Sequence, residues 1–279
     1  MNAANKTSIL CPNCRKLVGS DETKCPYCGT PRPWSWIRNN PITQIMNDSD
    51  ALIKAIIYLN AGMFIISILL SPGGLNFTGN PLTLLSPGSQ GLLIFVATGT
   101  IPIDRMGRWW TLLSANYLHG GILHILFNML ALRQIAPLII REYNVSRMFI
   151  LYTLGGIAGF AISYLEGVKF TIGSSAAVCS LIGAALYFGK SRGGVYGQAV
   201  YRQVGGWVIG IFAFGILVPG INNWGHAGGI LAGVLLGALL GYRENRKEVG
   251  WHRLTARILA GSTLAVLLFA IASGWLRQL

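Results

Sequence analysis

Seven apolar runs, near residues 54–71, 119–140, 147–165, 173–189, 204–220, 225–242 and 257–276, dominate the chain. Each is close to the roughly 20 residues that cross about 30 Å of hydrocarbon at 1.5 Å per helical residue. With 52% hydrophobic and 11% charged residues among 279, the sequence cannot close around a single soluble core. It predicts an all-α polytopic membrane protein, because lipid leaves only helices and closed barrels as ways to satisfy every backbone polar group.

The net charge of +13 would suit nucleic acid, but its distribution is topological. If the amino terminus is cytosolic, Lys and Arg fall on the inner side up to Lys54, at Arg133 to Arg147, at Lys190 to Arg202 and at Arg243 to Arg257. Only Arg105, Arg108, Lys169 and Arg277 remain outside, the asymmetry of the positive-inside rule. The expected setting is therefore the lipid bilayer of a plasma (inner) membrane, with no nucleic-acid partner. The polar, Cys-containing start does not read as a cleavable secretion signal.

Cys11-Pro-Asn-Cys14 and Cys25-Pro-Tyr-Cys28 are two CxxC knuckles whose four thiolates can converge on one zinc ion. Disulfides and a redox pair are the competing readings; a reducing cytosol disfavours structural disulfides, and paired knuckles fit a metal better than a single redox CxxC. A module this small cannot bury a sufficient core, so a structural zinc would supply its folding energy. Residues 1–30 are expected to be a cytosolic zinc ribbon, open to a docking partner, and 31–53 a linker with Trp34 and Trp36 near the headgroups. The remaining divisions are a six-helix core over 54–242, a basic cytosolic loop over 243–256 and a seventh spanning helix with a short tail over 257–279. The segment 72–118 forms an external loop, whose Leu92–Ala97 stretch suits a re-entrant or surface element.

Polar residues gather at one end of these helices. His124 and Asn128 lie four apart on one helix face, with His119 above them; Ser175 stands in Gly173-Ser-Ser-Ala176; His226 precedes Gly229, Gly233, Gly237 and Gly241. Uncompensated polar groups are costly in lipid. A serine at a helix start is usually a cap, and a membrane histidine is often only a hydrogen-bond partner. Their conjunction points to chemistry. The small residues Ala176, Ser180 and Ala184 give a face that the glycine ladder of the sixth span can approach, which would bring His226 to Ser175 as an activating base. No span holds an aspartate and no HExxH occurs, which removes paired-aspartate and common zinc-protease chemistry. No acid lies near His226 in sequence, so a Ser-His dyad is expected without a third member.

Trp110-Thr-Leu-Leu-Ser-Ala-Asn-Tyr-Leu-His119, His124, Asn128, Gly173-Ser-Ser175-Ala and His226-Ala-Gly-Gly229-Ile-Leu-Ala-Gly233 together resemble the rhomboid intramembrane serine proteases. The resemblance covers about residues 54–242 and implies a rhomboid-like six-helix bundle, to which the last helix adds a seventh span. It implies Ser175 as nucleophile, His226 as base, His124 and Asn128 as oxyanion donors, His119 as a loop anchor, no catalytic cofactor, and transmembrane protein substrates cut near the extracytoplasmic face. The chain departs from the family pattern at Ala176, where glycine is usual. It departs again at Thr111, where arginine often follows the tryptophan, so that anchoring by that arginine is lost or moved to Arg108, and at Cys179, where an aromatic often packs on the histidine. Cys179 itself reads as a small buried core residue. Arg133 reads as snorkelling to the interface and His252 as solvated. The alternatives are a catalytically silent rhomboid-like protein that binds membrane helices and, less well supported, a transporter or channel, for which paired carboxylates are lacking.

Overall fold

The computed structural model describes residues 8–35, 40–71, 85–87, 92 and 97–276. Trp36 and most of the Leu92–Ala97 stretch lie outside the described residues. A two-stranded antiparallel hairpin, β1 (Ser8–Leu10) and β2 (Leu17–Gly19), opens the chain. A short helix α1 (Pro41–Ile45) follows, with Pro41 in its first turn and the Asn40 side chain accepting from the Thr43 amide. Helix α2 (Ser49–Leu69) starts on Asp48, which accepts from the amides of Asp50 and Ala51 at 2.9 and 3.1 Å. The Ala51 amide, followed by the Arg15 guanidinium, holds the Asp48 carboxyl below the usual range.

A single wide turn at Ile101–Arg105 and the short helix α3 (Thr111–Ser114) lead into the bundle. The bundle consists of α4 (Ile122–Tyr143), α5 (Val145–Leu165), α6 (Ser175–Arg192), α7 (Gly194–Leu217), α8 (Asn223–Leu240) and α9 (Gly250–Leu276). Among the described residues six helices, α2, α4, α5, α7, α8 and α9, are long and apolar enough to cross a membrane. The seventh apolar run, α6, falls short of that standard for a physical reason. Its alanines, glycines and serines are buried along most of its length, and it packs against α4, α5, α7 and α8. A helix covered by protein needs small side chains for close approach more than it needs apolarity.

Two polar residues lie deeper than their setting suggested. Arg147, counted above among the charges at the inner membrane surface, is fully buried. Its guanidinium donates to the carbonyls of Gly241 at 2.7 Å and Arg246 at 2.9 Å, satisfying groups left over where α8 ends. His252 is not solvated: it is fully buried, and its Nδ1 accepts from the Val249 amide at 3.1 Å where α9 begins. Arg133, in contrast, is exposed.

The cysteine module sits on the bundle at this same end. Arg15 pairs with Asp48, the Asn47 side chain donates to the Pro12 carbonyl, and Arg253 of α9 donates to Asn13 at 3.2 Å. The first knuckle thus touches the starts of both α2 and α9.

Candidate active site

The opposite end of the bundle is organised by two faces of small residues. A Cβ added at Gly229 would run into the Ala176 carbonyl oxygen, one at Gly233 into that of Ser180, and one at Gly237 would lie 3.2 Å from Ala184 Cα. The glycine ladder of α8 and the Ala176, Ser180, Ala184 face of α6 therefore meet residue for residue, at backbone contact. Helix α5 closes the third side. A Cβ at its Gly159 would lie 2.7 Å from the Gly225 carbonyl oxygen and 2.9 Å from Ala176 Cβ, and the Ser180 hydroxyl crosses to the Leu151 carbonyl at 2.8 Å.

This packing determines where two side chains stand. Ser175 begins α6 immediately before Ala176, and His226 lies one turn ahead of Gly229 on the same side of α8. Ser175 is half-buried and His226 is buried. The structure contains no hydrogen bond between the Ser175 hydroxyl and the His226 ring, and the buried His226 Nδ1 has no partner among the described residues. Among the described residues no carboxylate is hydrogen-bonded to that nitrogen. Cys179 is buried, with Cβ 3.1 Å from the position a Gly229 Cβ would take.

The loop ahead of Ser175 is fastened at several points. The Gly173 amide donates to the Ala115 carbonyl at 2.9 Å, and Thr171 exchanges backbone hydrogen bonds with Thr98 at 2.8 and 3.0 Å. Gly173 has φ of +116°, and a Cβ there would lie 2.6 Å from His124 Nε2, so both conformation and space require glycine. The Gly120 amide donates to His124 Nδ1 at 3.3 Å, which leaves the proton of a neutral ring on Nε2, the nitrogen beside Gly173. Asn128 spends one amide hydrogen on the His124 carbonyl at 2.9 Å and keeps another. His119 is fully buried, 3.4 Å from the Ser174 hydroxyl, with its ring 5.0 Å from that of His124.

Further residues hold this arrangement, among them Asn222 and Tyr164, which were not singled out from the sequence. Asn222 caps α8 by accepting from the Gly225 amide at 2.9 Å, and its side-chain nitrogen donates to Ser163 at 2.8 Å and Thr171 at 2.9 Å. It joins the start of the His226 helix to α5 and to the loop before Ser175. An asparagine just before a helix is a readable cap signal; its two long-range partners are not. Asp104 accepts from Tyr164 at 2.8 Å, Trp109 stacks edge-on against Tyr164 at 5.3 Å, and Trp110 meets Phe269 of α9 at 5.2 Å. The loop is thus anchored on α5 and α9, while Arg108 is buried beneath it.

Residues 106–243 match the family model for the rhomboid domain. This stretch of the chain is a rhomboid domain. The chain is similar to the rhomboid protease GluP of Bacillus subtilis (strain 168), with 32% identity over 170 residues that cover 61% of this chain and 32% of that one. It is similar to RHOMBOID-like protein 4 of Arabidopsis thaliana, with 33% identity over 178 residues covering 63% and 44%. RHOMBOID-like protein 5 of the same plant is 28% identical over 193 residues, covering 62% of each chain. The chain therefore spans from about a third to under two thirds of the length of these relatives, one of which is named a rhomboid protease.

Ahead of the rhomboid domain, Cys11, Cys14, Cys25 and Cys28 bring their sulfur atoms within 4.8 Å of one another. None forms a disulfide. The Cys11–Cys28 and Cys14–Cys25 sulfur pairs are each 3.6 Å apart, near the roughly 3.8 Å edge of a tetrahedron with 2.3 Å metal–sulfur bonds. The two knuckles repeat one backbone pattern: the amides of Arg15 and Gly29 donate to the carbonyls of Cys11 and Cys25, and the amides of Cys11 and Cys25 donate to Lys16 and Thr30. The Thr30 hydroxyl, 3.1 Å from Cys28, lowers that thiol's pKa, while that of Cys14 in the same cluster is pushed up, so of these two Cys28 is the first to become the thiolate that metals bind. The donor set fits a metal ion.

Proposed function

We propose that the protein is an intramembrane serine endopeptidase. The observation that carries this reading is the backbone contact of Gly229 with Ala176, which holds the His226 turn beside the Ser175 turn at a common end of the bundle. In this reading the Ser175 hydroxyl attacks the scissile carbonyl carbon and His226 takes its proton, as an activated nucleophile requires. The oxyanion formed accepts hydrogen bonds from His124 Nε2, the spare Asn128 amide hydrogen and the Ser175 backbone amide, and such donors are each worth about 2.7–4 kcal/mol in the transition state. His226 then protonates the departing amine, and water, with His226 again as base, releases the acyl group from Ser175. Gly173 gives His124 its place, and His119 and Asn222 are positioning residues. The Lys and Arg asymmetry supports a cytosolic cysteine module and a reaction near the extracytoplasmic face of a plasma (inner) membrane, on transmembrane segments of other proteins.

The second reading, a silent protein that binds membrane helices, draws on the missing hydrogen bond between Ser175 and His226. Catalytic hydrogen bonds are often long until substrate binds, so the pair keeps its assignment. A fluorophosphonate probe decides between the readings. The purified chain in detergent should become labelled at Ser175, with cleavage of a labelled transmembrane segment; Ser175→Ala should lose both. Labelling that persists in Ser175→Ala, or a wild type that neither labels nor cleaves, would sink the enzyme reading.

The cysteine module is read as a structural zinc ribbon, whose closed donor set leaves no place for catalysis. Elemental analysis should find about one zinc per chain, and either Cys11→Ser or Cys25→Ser should abolish it. Chelation should remove hydrogen-exchange protection over residues 8–35 and leave that of α4 to α8 intact. Unchanged zinc in both variants would refute the site.

A further inference from the structure

At the end of the bundle nearest the cysteine module, a cavity of about 300 Å³ lies between the last turn of α6 and the first turns of α7, lined by Gly189, Lys190, Gly193, Gln198, Tyr201 and Arg202. Its floor is a glycine contact: a Cβ at Gly189 would lie 2.8 Å from both the Gly197 carbonyl oxygen and the Tyr201 amide nitrogen. No carboxylate lines it. Nearby cations are already matched, Arg192 with Glu244 at 2.9 Å and Arg141 with Glu142 at 2.8 Å. Lys190 only overlies the Tyr201 ring at 5.8 Å, and Arg202 makes no hydrogen bond or ion pair among the described residues. Helix α7 also starts at this cavity without a side-chain cap, so its first amides face outward with the positive end of the helix dipole.

From Gln198 and Arg202 the same face of α7 continues through Gly205 and Gly206 to Ile209, which is 73% exposed. A Cβ at Gly205, Gly206 or Gly210 would meet nothing within 4 Å. A basic cavity thus sits at the start of a smooth apolar strip on a helix long and apolar enough to span a membrane.

We propose that this cavity is a binding site for an anionic phospholipid. Lys190, Arg202, Gln198 and the first amides of α7 receive the phosphodiester, and one acyl chain lies along the glycine strip. Basic pockets between spanning helices suit such headgroups, each cation adding about fivefold in affinity. Two cations therefore predict a preference of roughly 25-fold for phosphatidylglycerol over phosphatidylcholine.

The full chain in detergent, titrated with each lipid and followed by native mass spectrometry, tests this. The tight phosphatidylglycerol step should weaken roughly 25-fold in the Lys190→Gln, Arg202→Gln double variant. It should persist in Arg202→Lys and in Arg133→Gln, which removes an exposed cation away from the cavity. Equal binding of the two lipids, an unaffected double variant or an equal loss in Arg133→Gln would overturn the site. Displacement of the lipid by inorganic phosphate at comparable concentration would show a free-anion site instead and also overturn the proposal. A thermal melt of each variant separates lost binding from lost fold, and Arg202→Gln alone, with a loss of about fivefold, serves if the double variant melts early.

Discussion

Ser175→Ala and His226→Ala should each lower turnover of a transmembrane substrate by at least about 10⁴-fold, and the double variant should be no slower than the slower single one. The non-additivity is the informative part. A nucleophile and its base act in the same step, so once either is gone the other has nothing left to contribute. What remains is the catalysis available from oxyanion donors and substrate positioning alone, on the order of 10³ over water. Initial rates on a labelled transmembrane segment in proteoliposomes measure this, with thermal melts confirming that each variant is folded. Losses that multiply would mean that Ser175 and His226 act independently, and the dyad would fail even if both residues matter.

How far the sequence discloses this molecule depends on the range of the interactions concerned. Spanning helices are local objects, and apolar runs marked them, including α6, whose alanines and glycines reveal protein cover instead of lipid. The contact between α6 and α8 was also legible, because four-residue spacings of small side chains on both helices admit one way of meeting. Ala176 against Gly229, Ser180 against Gly233 and Ala184 against Gly237 are that contact.

Single polar residues with distant partners were not legible. Arg147 looked like a headgroup charge, but its acceptors lie 94 and 99 residues away. Nothing local distinguishes a snorkelling arginine from one that completes another helix's end. His252 differs in that its partner, the Val249 amide, is only three residues away, but the burial that takes its ring out of solvent comes from the surrounding fold, and a sequence position among cations does not reveal that. Asn222 announces a cap, but its bonds to Ser163 and Thr171 exist only once three segments have converged. Loop anchoring followed the same rule: the expected arginine is absent, and Tyr164, 60 residues beyond Asp104, takes part instead.

Gly233→Val should be the most disruptive single change that leaves every proposed reacting group in place. Its Cβ would occupy the space of the Ser180 carbonyl oxygen, with Ser180 Cα only 2.8 Å away. Backbone cannot rotate aside as a flexible side chain can, so α8 must move away from α6. Overpacking of this kind costs about 1–3 kcal/mol and sometimes more, and in lipid no hydrophobic force between helices restores the contact. The same displacement would carry the His226 turn away from Ser175, and a misplacement of about 1 Å can cost roughly 10²-fold in rate. Gly233→Val should therefore lower the melting temperature in detergent and depress both cleavage and fluorophosphonate labelling by at least about 10²-fold. Gly210→Ala, on a helical position where a Cβ meets nothing, should retain full activity, and the gain in helix propensity should leave its melting temperature equal or higher. If Gly233→Val cleaves at the wild-type rate, the close approach of α6 and α8 is not what holds Ser175 and His226 together.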